Sequence, residues 1–347
     1  MPPAHGNQGN QENQGNNQYN NRGAGSSDQL NIFINLPLES EFVQQITSID
    51  PRIRPIMAEE GGDDDARLAD VEIVFSFSVD DELLRKTPRL RWIQLASAGV
   101  DRMVRAGILQ AHPDLLVTTA SGLHEVPISE HILGMILYFS RGFDKATQNQ
   151  RLRKWERYRP GETLDETVCI IGYGPIARRA ATLCKALGMR ALSVRASITE
   201  QQPGDGAVER FYPVRDLNHA LAESDYIVIA APRTPLSEGM IGREQFAVMK
   251  ESAVLINISR GAIVDEEALI EALQQAKIAG AGLDVFTEEP LPESSPLWDM
   301  PNVLITPHNA GSNPLYYKRA TQIFCDNLAH YLRGEPLHNL VIAERGY

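Results

Sequence analysis

The chain has 347 residues, 43% of them hydrophobic and 22% charged, which is enough apolar material for two domain-sized cores. Lys and Arg number 33 against 45 Asp and Glu, a net charge of −12, so there is no general basic footprint for nucleic acid or an anionic membrane surface. The longest apolar runs, such as 227–231, are far too short to span a bilayer, and no basic-then-apolar leader opens the chain. Cys169, Cys184 and Cys325 stand singly in apolar-periodic contexts, so the expectation is a soluble cytoplasmic protein with reduced cysteines and no metal.

Residues 1–29 hold seven Asn, five Gln and five Gly, 17 of 29 positions, with almost nothing to bury. They are predicted to form a disordered tail that is a solvated extension, with self-association or targeting as the alternative. The tail contains Glu12, Arg22 and Asp28, so the remaining 318 residues carry −11. A β-rich run at 31–36 opens the body, followed by strand candidates at 71–77 and 92–95, with a helical pattern at 81–85 between them. Five carboxylates at 59–65, interrupted by Gly61 and Gly62, lack calcium-loop spacing and are expected to form a solvated loop. A long helical pattern runs over 129–153, with Ser129 as its candidate cap.

From Thr167–Ile171 onward a second alternation of strands and helices begins, with strands predicted at 191–194, 226–230, 253–256, 280–284 and 303–306. A closing helix is predicted over 314–333. Strands alternating with helices imply parallel, doubly covered sheets, here two α/β units with the second inserted within the first.

The strand at Thr167–Ile171 runs into Gly172-Tyr173-Gly174-Pro175-Ile176-Ala177 and then a helical stretch. This is strand, Gly-x-Gly-x-x-Ala, helix. The first glycine makes the tight turn, the second admits a pyrophosphate, and the small third residue lets helix and strand pack closely. The next strand ends in Arg195-Ala196-Ser197, with Arg195 23 residues after Gly172. A guanidinium there suits a 2′-phosphate, whereas folds that prefer NAD place an acid at this point. NADP is therefore expected in preference to NAD, the alternative being that Arg195 is a plain surface charge.

Three later segments carry reactive groups beyond strand ends, where open α/β sheets bind ligands. Arg260 follows Ile258 and Ser259, Asp284 ends the 280–284 strand with Glu289 shortly after it, and His308 follows the 303–306 strand. A guanidinium, a carboxylate and an imidazole converging there suit reduction of a 2-keto acid. Each alone has a structural alternative: an ion pair for Arg260, a turn cap for Glu289, a packed core position for His308.

The motifs Ser-Arg-Gly-x-x-Val-Asp at 259–265, Gly-Leu-Asp-Val-Phe at 282–286, Glu289-Pro290 and Thr-Pro-His at 306–308 resemble the D-isomer-specific 2-hydroxyacid dehydrogenase family. The spacings Arg260 to Glu289 and Glu289 to His308 are 29 and 19 residues, and the resemblance covers 30–345. It implies a Rossmann dinucleotide-binding domain at 127–311, inserted into a flavodoxin-like substrate domain formed by 30–126 and 312–347. It implies hydride exchange between a nicotinamide and a small 2-keto or 2-hydroxy acid, of the glyoxylate/hydroxypyruvate reductase kind or bulkier. His308 is then the general acid and base, Glu289 orients it and favours its charged form, and Arg260 holds the substrate carboxylate and keto oxygen.

The same resemblance puts Asp284, Ile258, Ser259, Arg260 and His308 beside the nicotinamide, and Pro232, Arg233 and Thr234 along the adenosine edge. Arg233 is assigned either to the phosphate or to solvent. On the substrate side it points to Ala98 and Gly99 as carboxylate-binding amides, with Ser76 and Ser78 lining the same cleft. The crossing at 121–131 lacks the Asn many members carry near Leu123 or His124, which leaves substrate identity open. His124 is read as structural or cofactor-adjacent, and His131 as a packing residue. The helix at 129–153, with Trp155 beyond it, falls where family members pair, so a homodimer is expected. The alternative to an enzyme is a dinucleotide-sensing binding protein or corepressor of the same fold.

Overall fold

A computed structural model describes residues 29–58, 65–100, 103 and 107–341. Residues 1–28 of the expected tail and 59–64 of the acidic loop lie outside the described residues. The first sheet has five parallel strands: β1 (Leu30–Asn35), β2 (Ile53–Met57), β3 (Val71–Ser76), β4 (Trp92–Leu95) and β5 (Leu116–Thr118). Their order is β2-β1-β3-β4-β5, the flavodoxin-like arrangement. Sequence patterning passed over β2, which carries Arg54 and Pro55. The sheet edge explains both, since an edge strand tolerates a residue that cannot donate on one side. It also passed over β5, which has only three residues.

The helices of this unit are α1 (Ser40–Thr47), α2 (Asp65–Leu68), α3 (Asp81–Lys86) and α4 (Ile108–Ala111). The chain's last helix, Tyr316–Arg333, returns to the same sheet. Its Phe324 stacks on Phe75 with ring centroids 4.4 Å apart, and its Tyr331 stacks on Trp92 at 5.3 Å. A buried polar chain fixes the register: Trp92 Nε1 donates to Thr118 Oγ1 (2.8 Å), Thr118 Oγ1 to Gln94 Oε1 (2.8 Å), and Asn327 Nδ2 to the same Gln94 oxygen (2.9 Å). Every member has a partner, so the network specifies the packing of helix on sheet.

Between these two visits lies the second sheet. Its strands are β6 (Thr167–Ile171), β7 (Arg190–Arg195), β8 (Gln202–Pro203), β9 (Arg210–Pro213), β10 (Tyr226–Ile229), β11 (Val254–Asn257), β12 (Gly280–Leu283) and β13 (Val303–Ile305). The order is β13-β12-β11-β10-β6-β7-β9-β8, parallel throughout except for β8. Both faces are covered. Cys169 and Ile171 of β6 enter one core with Ile227, Ile229 and Leu255, while Val168 and Ile170 enter the other with Val228 and Ile256. A strand buried on both sides reads as a continuous apolar run, which is why these strands were visible in the sequence.

The helices of this unit are α5 (Glu125–Ser140), α6 (Phe143–Arg151), α7 (Pro175–Ala186), α8 (Leu217–Ala222), α9 (Arg243–Val248) and α10 (Glu266–Gln274), and α11 (Tyr316–Arg333) closes the chain. The single helix expected over 129–153 is two helices, broken where Gly142 turns left-handed at φ 65°. Ser129 is no cap: it lies buried inside α5 and its Oγ donates to Val126 O (2.9 Å). Among the described residues no helix is long and apolar enough to cross a membrane.

Candidate active site

The glycine-rich turn follows β6. Gly172 adopts φ 91°, and a Cβ there would lie 2.7 Å from the Ala231 backbone, so the turn requires glycine on both counts. At Gly174 an added Cβ would meet nothing within 4 Å: the space above the turn is open. Pro175 is the first residue of α7, where its missing N–H costs nothing, and Ala177 is buried against the sheet. The arrangement is an open cradle at a helix N-terminus, suited to an anion.

Arg195 ends β7 beside this cradle, because Gly172 N–H donates to Val194 O (2.9 Å). Its guanidinium lies over the Phe211 ring at 4.9 Å and the Tyr173 ring at 5.7 Å. No carboxylate pairs with it among the described residues. Tyr173 is held in turn by its hydroxyl, which donates to Asp205 (2.9 Å). Ala196 and Ser197 are exposed at the adjoining rim. In the loop after β10, Ser237 Oγ donates to Pro232 O (2.7 Å) and accepts from Thr234 N (2.8 Å). Arg233 is partly exposed and pairs with the exposed Glu238 at 2.7 Å.

Beyond the carboxyl ends of β3, β4, β11 and β12, a cleft of about 550 Å³ lies between the two sheets, within the ordinary range for small-molecule sites. Ile258, Ser259, Arg260, Asp284 and His308 all line it, as do Ala98 and Gly99 from the first sheet. Arg260 follows β11. The Asn257 side chain braces that turn, accepting from Ser259 N (3.1 Å) and donating to Arg260 O (3.1 Å). The next residue, Gly261, has room for nothing larger, since a Cβ would overlap the Phe286 carbonyl at 1.9 Å. Arg260 is thereby set against the segment that carries Glu289.

Glu289 Oε1 accepts from Phe286 N (3.0 Å), which points Oε2 at His308 Nδ1, 2.7 Å away. A carboxylate only accepts, so Nδ1 carries the proton and Nε2 is the nitrogen left for chemistry. His308 itself sits in the left-handed region at φ 51°. Buried Asp284 holds it there. Asp284 O accepts from His308 N (2.8 Å), Oδ1 from Thr306 Oγ1 (2.5 Å) and Asn309 N (2.8 Å), and Oδ2 from Ala310 N (3.0 Å). His131 joins this network through Thr306 Oγ1 (3.1 Å), so it is more than a packing residue. Burial lowers its pKa, against the pull of Asp284.

Ser76 and Ser78 do not line the cleft. Ser76 Oγ donates to Ser78 O (2.8 Å) and accepts from Ser78 N (3.3 Å), closing the end of β3 on itself. The intervening Phe77 faces the cleft instead, with Tyr316 and Tyr317 opposite it. Sequence reading missed these three because an aromatic residue is ordinarily assigned to the core. The available signal was position: Phe77 directly follows a strand's carboxyl end. His124 also lines the cleft, and burial, with Arg260 and His308 nearby, lowers its pKa.

Residues 133–310 match the family model described as D-isomer specific 2-hydroxyacid dehydrogenase, NAD binding domain. D-3-phosphoglycerate dehydrogenase of Methanocaldococcus jannaschii is 34% identical over 79% of this chain and 52% of its own length. The chain thus spans about half the length of such relatives. Glyoxylate/hydroxypyruvate reductase B of Pectobacterium carotovorum is 35% identical over 76% of the chain and 82% of its own. The crystal structure of an NADPH-dependent glyoxylate/hydroxypyruvate reductase from Sinorhizobium meliloti, in complex with NADP and sulfate, superimposes with a TM-score of 0.80 at 26% identity, covering 92% of this chain and all of that one.

Proposed function

Given that the chain belongs to the D-isomer specific 2-hydroxyacid dehydrogenase family, we propose that it reduces a 2-keto acid to the D-2-hydroxy acid with NADPH, and catalyses the reverse. The observation that carries this reading is that Arg260 and the Glu289-held His308 line one cleft, which Ile176 of the phosphate-binding helix also lines. The residues present fit a dinucleotide. Gly174 leaves a cradle open at the α7 N-terminus, and Arg195 is stacked where a 2′-phosphate would need a fork of donors. The NADP complex of the similar reductase supports the choice of cofactor.

When bound, the reduced nicotinamide supplies the hydride. Arg260 binds the substrate carboxylate and draws the keto oxygen toward His308. The backbone amides of Ala98 and Gly99 hold the carboxylate from the other side. His308 Nε2 gives its proton to the keto oxygen as the alcohol forms, and takes it back in oxidation. Glu289, fixed by Phe286 N, keeps the imidazole in the tautomer that aims Nε2 into the cleft and offsets its charge when it is protonated. Asp284 holds the turn that bears His308 and would lie beside the nicotinamide.

We assign residues 30–126 and 312–347 to substrate and 127–311 to dinucleotide. We also infer a homodimer: Leu152, Trp155 and Leu164 are exposed, Trp155 at 98%, and a second copy would cover them. Three buried, unpaired cysteines, with thiols pushed up to about 12 by burial, suit a cytoplasmic setting. Loss of NADPH absorbance across a panel of 2-keto acids tests the activity. Turnover that His308→Ala abolishes supports it. No turnover with any of them overturns it in favour of a dinucleotide-sensing protein.

A further inference from the structure

The substrate side of the cleft carries an apolar wall that the reaction itself does not need. Phe77 is 42% exposed, an unusual state for a phenylalanine ring at the end of a buried strand. Its ring lies 5.9 Å from Tyr316 and 6.5 Å from Tyr317, which are themselves 5.7 Å apart, and the His124 ring is 5.4 Å from Tyr316. All four line the same cleft as Arg260, Ala98 and Gly99.

The Tyr316 hydroxyl is already committed, donating to Ala96 O (2.8 Å), so this residue offers its ring and no polar handle. That bond also ties the wall to the loop that carries Ala98 and Gly99. The charge on the lining points the same way. Among the described residues, Arg260 is its only Lys or Arg, and the reaction uses that group for the carboxylate. Among the described residues, a second anionic group on the substrate, such as a phosphate, would meet no further Lys or Arg on this lining. Burying it unpaired would be costly.

Resting on the activity proposed above, we infer that the substrate is a 2-keto acid with an uncharged aryl side chain, which packs against Phe77, Tyr316 and Tyr317. Aromatic rings stack edge-to-face or offset at the separations seen within this wall, so a phenyl group extends it without rearrangement. Glyoxylate has no side chain and would leave the wall exposed to water. A phosphorylated 2-keto acid would set its charge against it.

The test is kcat/KM for phenylpyruvate, hydroxypyruvate, 3-phosphohydroxypyruvate and glyoxylate with NADPH, in the full chain and in Phe77→Ala and Tyr317→Ala. Phenylpyruvate is expected to exceed glyoxylate by about 100-fold, since even a single methylene in an apolar pocket discriminates by roughly 10–200-fold. Each variant is expected to lower the phenylpyruvate-to-glyoxylate ratio by about ten-fold, mainly through KM for phenylpyruvate. Preference for glyoxylate or the phosphorylated acid, or a ratio unmoved by both variants, overturns this inference and leaves the proposed reduction standing. If no 2-keto acid turns over, the reduction fails and calorimetry of the NADP-loaded protein decides the wall's role. Binding of phenyllactate tighter than glycolate, weakened by Phe77→Ala, sustains it, and equal binding of the two overturns it.

Discussion

Replacing Arg195 by Leu should remove most of the discrimination between NADPH and NADH. The side chain leaves the end of β7 next to the Gly172 turn, because Gly172 N–H bonds to Val194 O (2.9 Å). Its guanidinium is held over Phe211 at 4.9 Å and Tyr173 at 5.7 Å. Such contacts are worth about 0.5–1 kcal/mol at exposed sites, so part of the side chain's freedom is already lost before a phosphate arrives. Hydrogen bonds to a charged group contribute roughly 1.5–3 kcal/mol, and partial exposure with screening argues for the lower half of that range. A loss of about 2 kcal/mol corresponds to roughly 30-fold in KM for NADPH, with KM for NADH nearly unchanged. Arg195→Lys should fall between, because an ammonium keeps the charge but loses the fork and the flat stacking face. Arg195→Asp should favour NADH, since a carboxylate there suits ribose hydroxyls and repels a phosphate. Steady-state kinetics with both cofactors measure the ratio. An Arg195→Leu protein with the parent ratio would refute the assignment.

Glu289→Gln should lower kcat by about 10–100-fold with little change in KM, because the amide has one acceptor oxygen for two donors, Phe286 N and His308 Nδ1, and no charge to offset the imidazolium; equal kcat would count against the pair. Gly174→Val should keep the parent melting temperature yet lose NADPH binding by fluorescence titration, since its side chain would occupy only the open cradle. Gly172→Ala should do the reverse first: a methyl 2.7 Å from the Ala231 backbone, at φ 91°, should cost roughly 1–3 kcal/mol of stability in denaturant melts. His124 and His131 have pKa values lowered from 6.5, mainly by burial, so the unfolded chain binds more protons just below that pH. Their contribution to stability is therefore present above about pH 6.5 and is lost on acidification. His131→Gln should flatten part of that dependence in melts between about pH 7.5 and 5.5, and an unchanged slope would exclude it.

The strands legible in the sequence are those buried on both faces, such as Val168 and Ile170 against Cys169 and Ile171, where neither face dilutes the apolar run. The strands that escaped are edges or short pieces: β2 with Pro55, β5 with three residues, and the β8–β9 pair with Pro203 and Arg210. The candidate site residues stood out for another reason. Arg260, Asp284 and His308 each follow a recognisable strand, and strand ends are where such sheets bind ligands. What the sequence could not supply was side-chain commitment. Nothing local distinguishes Ser76, which bonds to its own turn, from Phe77, which faces the cleft, and nothing local pairs Arg233 with Glu238. Nor does it reveal that His131 reaches Thr306, 175 positions away.

That last contact bears on how the two halves of the cleft act together. After β13 the chain passes, without a break, through Thr306, His308 and Ala310 to the aromatic pair at the start of α11. Its first part is clamped to the second sheet by Asp284, which accepts from Thr306, Asn309 and Ala310. Its last part is clamped to the first sheet, through Tyr316 on Ala96 O and, further along α11, Asn327 on Gln94. Only 311–315 separates the two clamps. The imidazole proposed to move the proton and the rings proposed to meet the substrate side chain are therefore carried on one short tether between the sheets. A change in the angle between the sheets must move the Ala98–Gly99 amides and the aromatic wall together, relative to His308 and Arg260. In the proposed reaction, substrate contacts on the first sheet are thereby coupled to proton transfer on the second, so filling the wall should register in kcat beside its larger effect on KM.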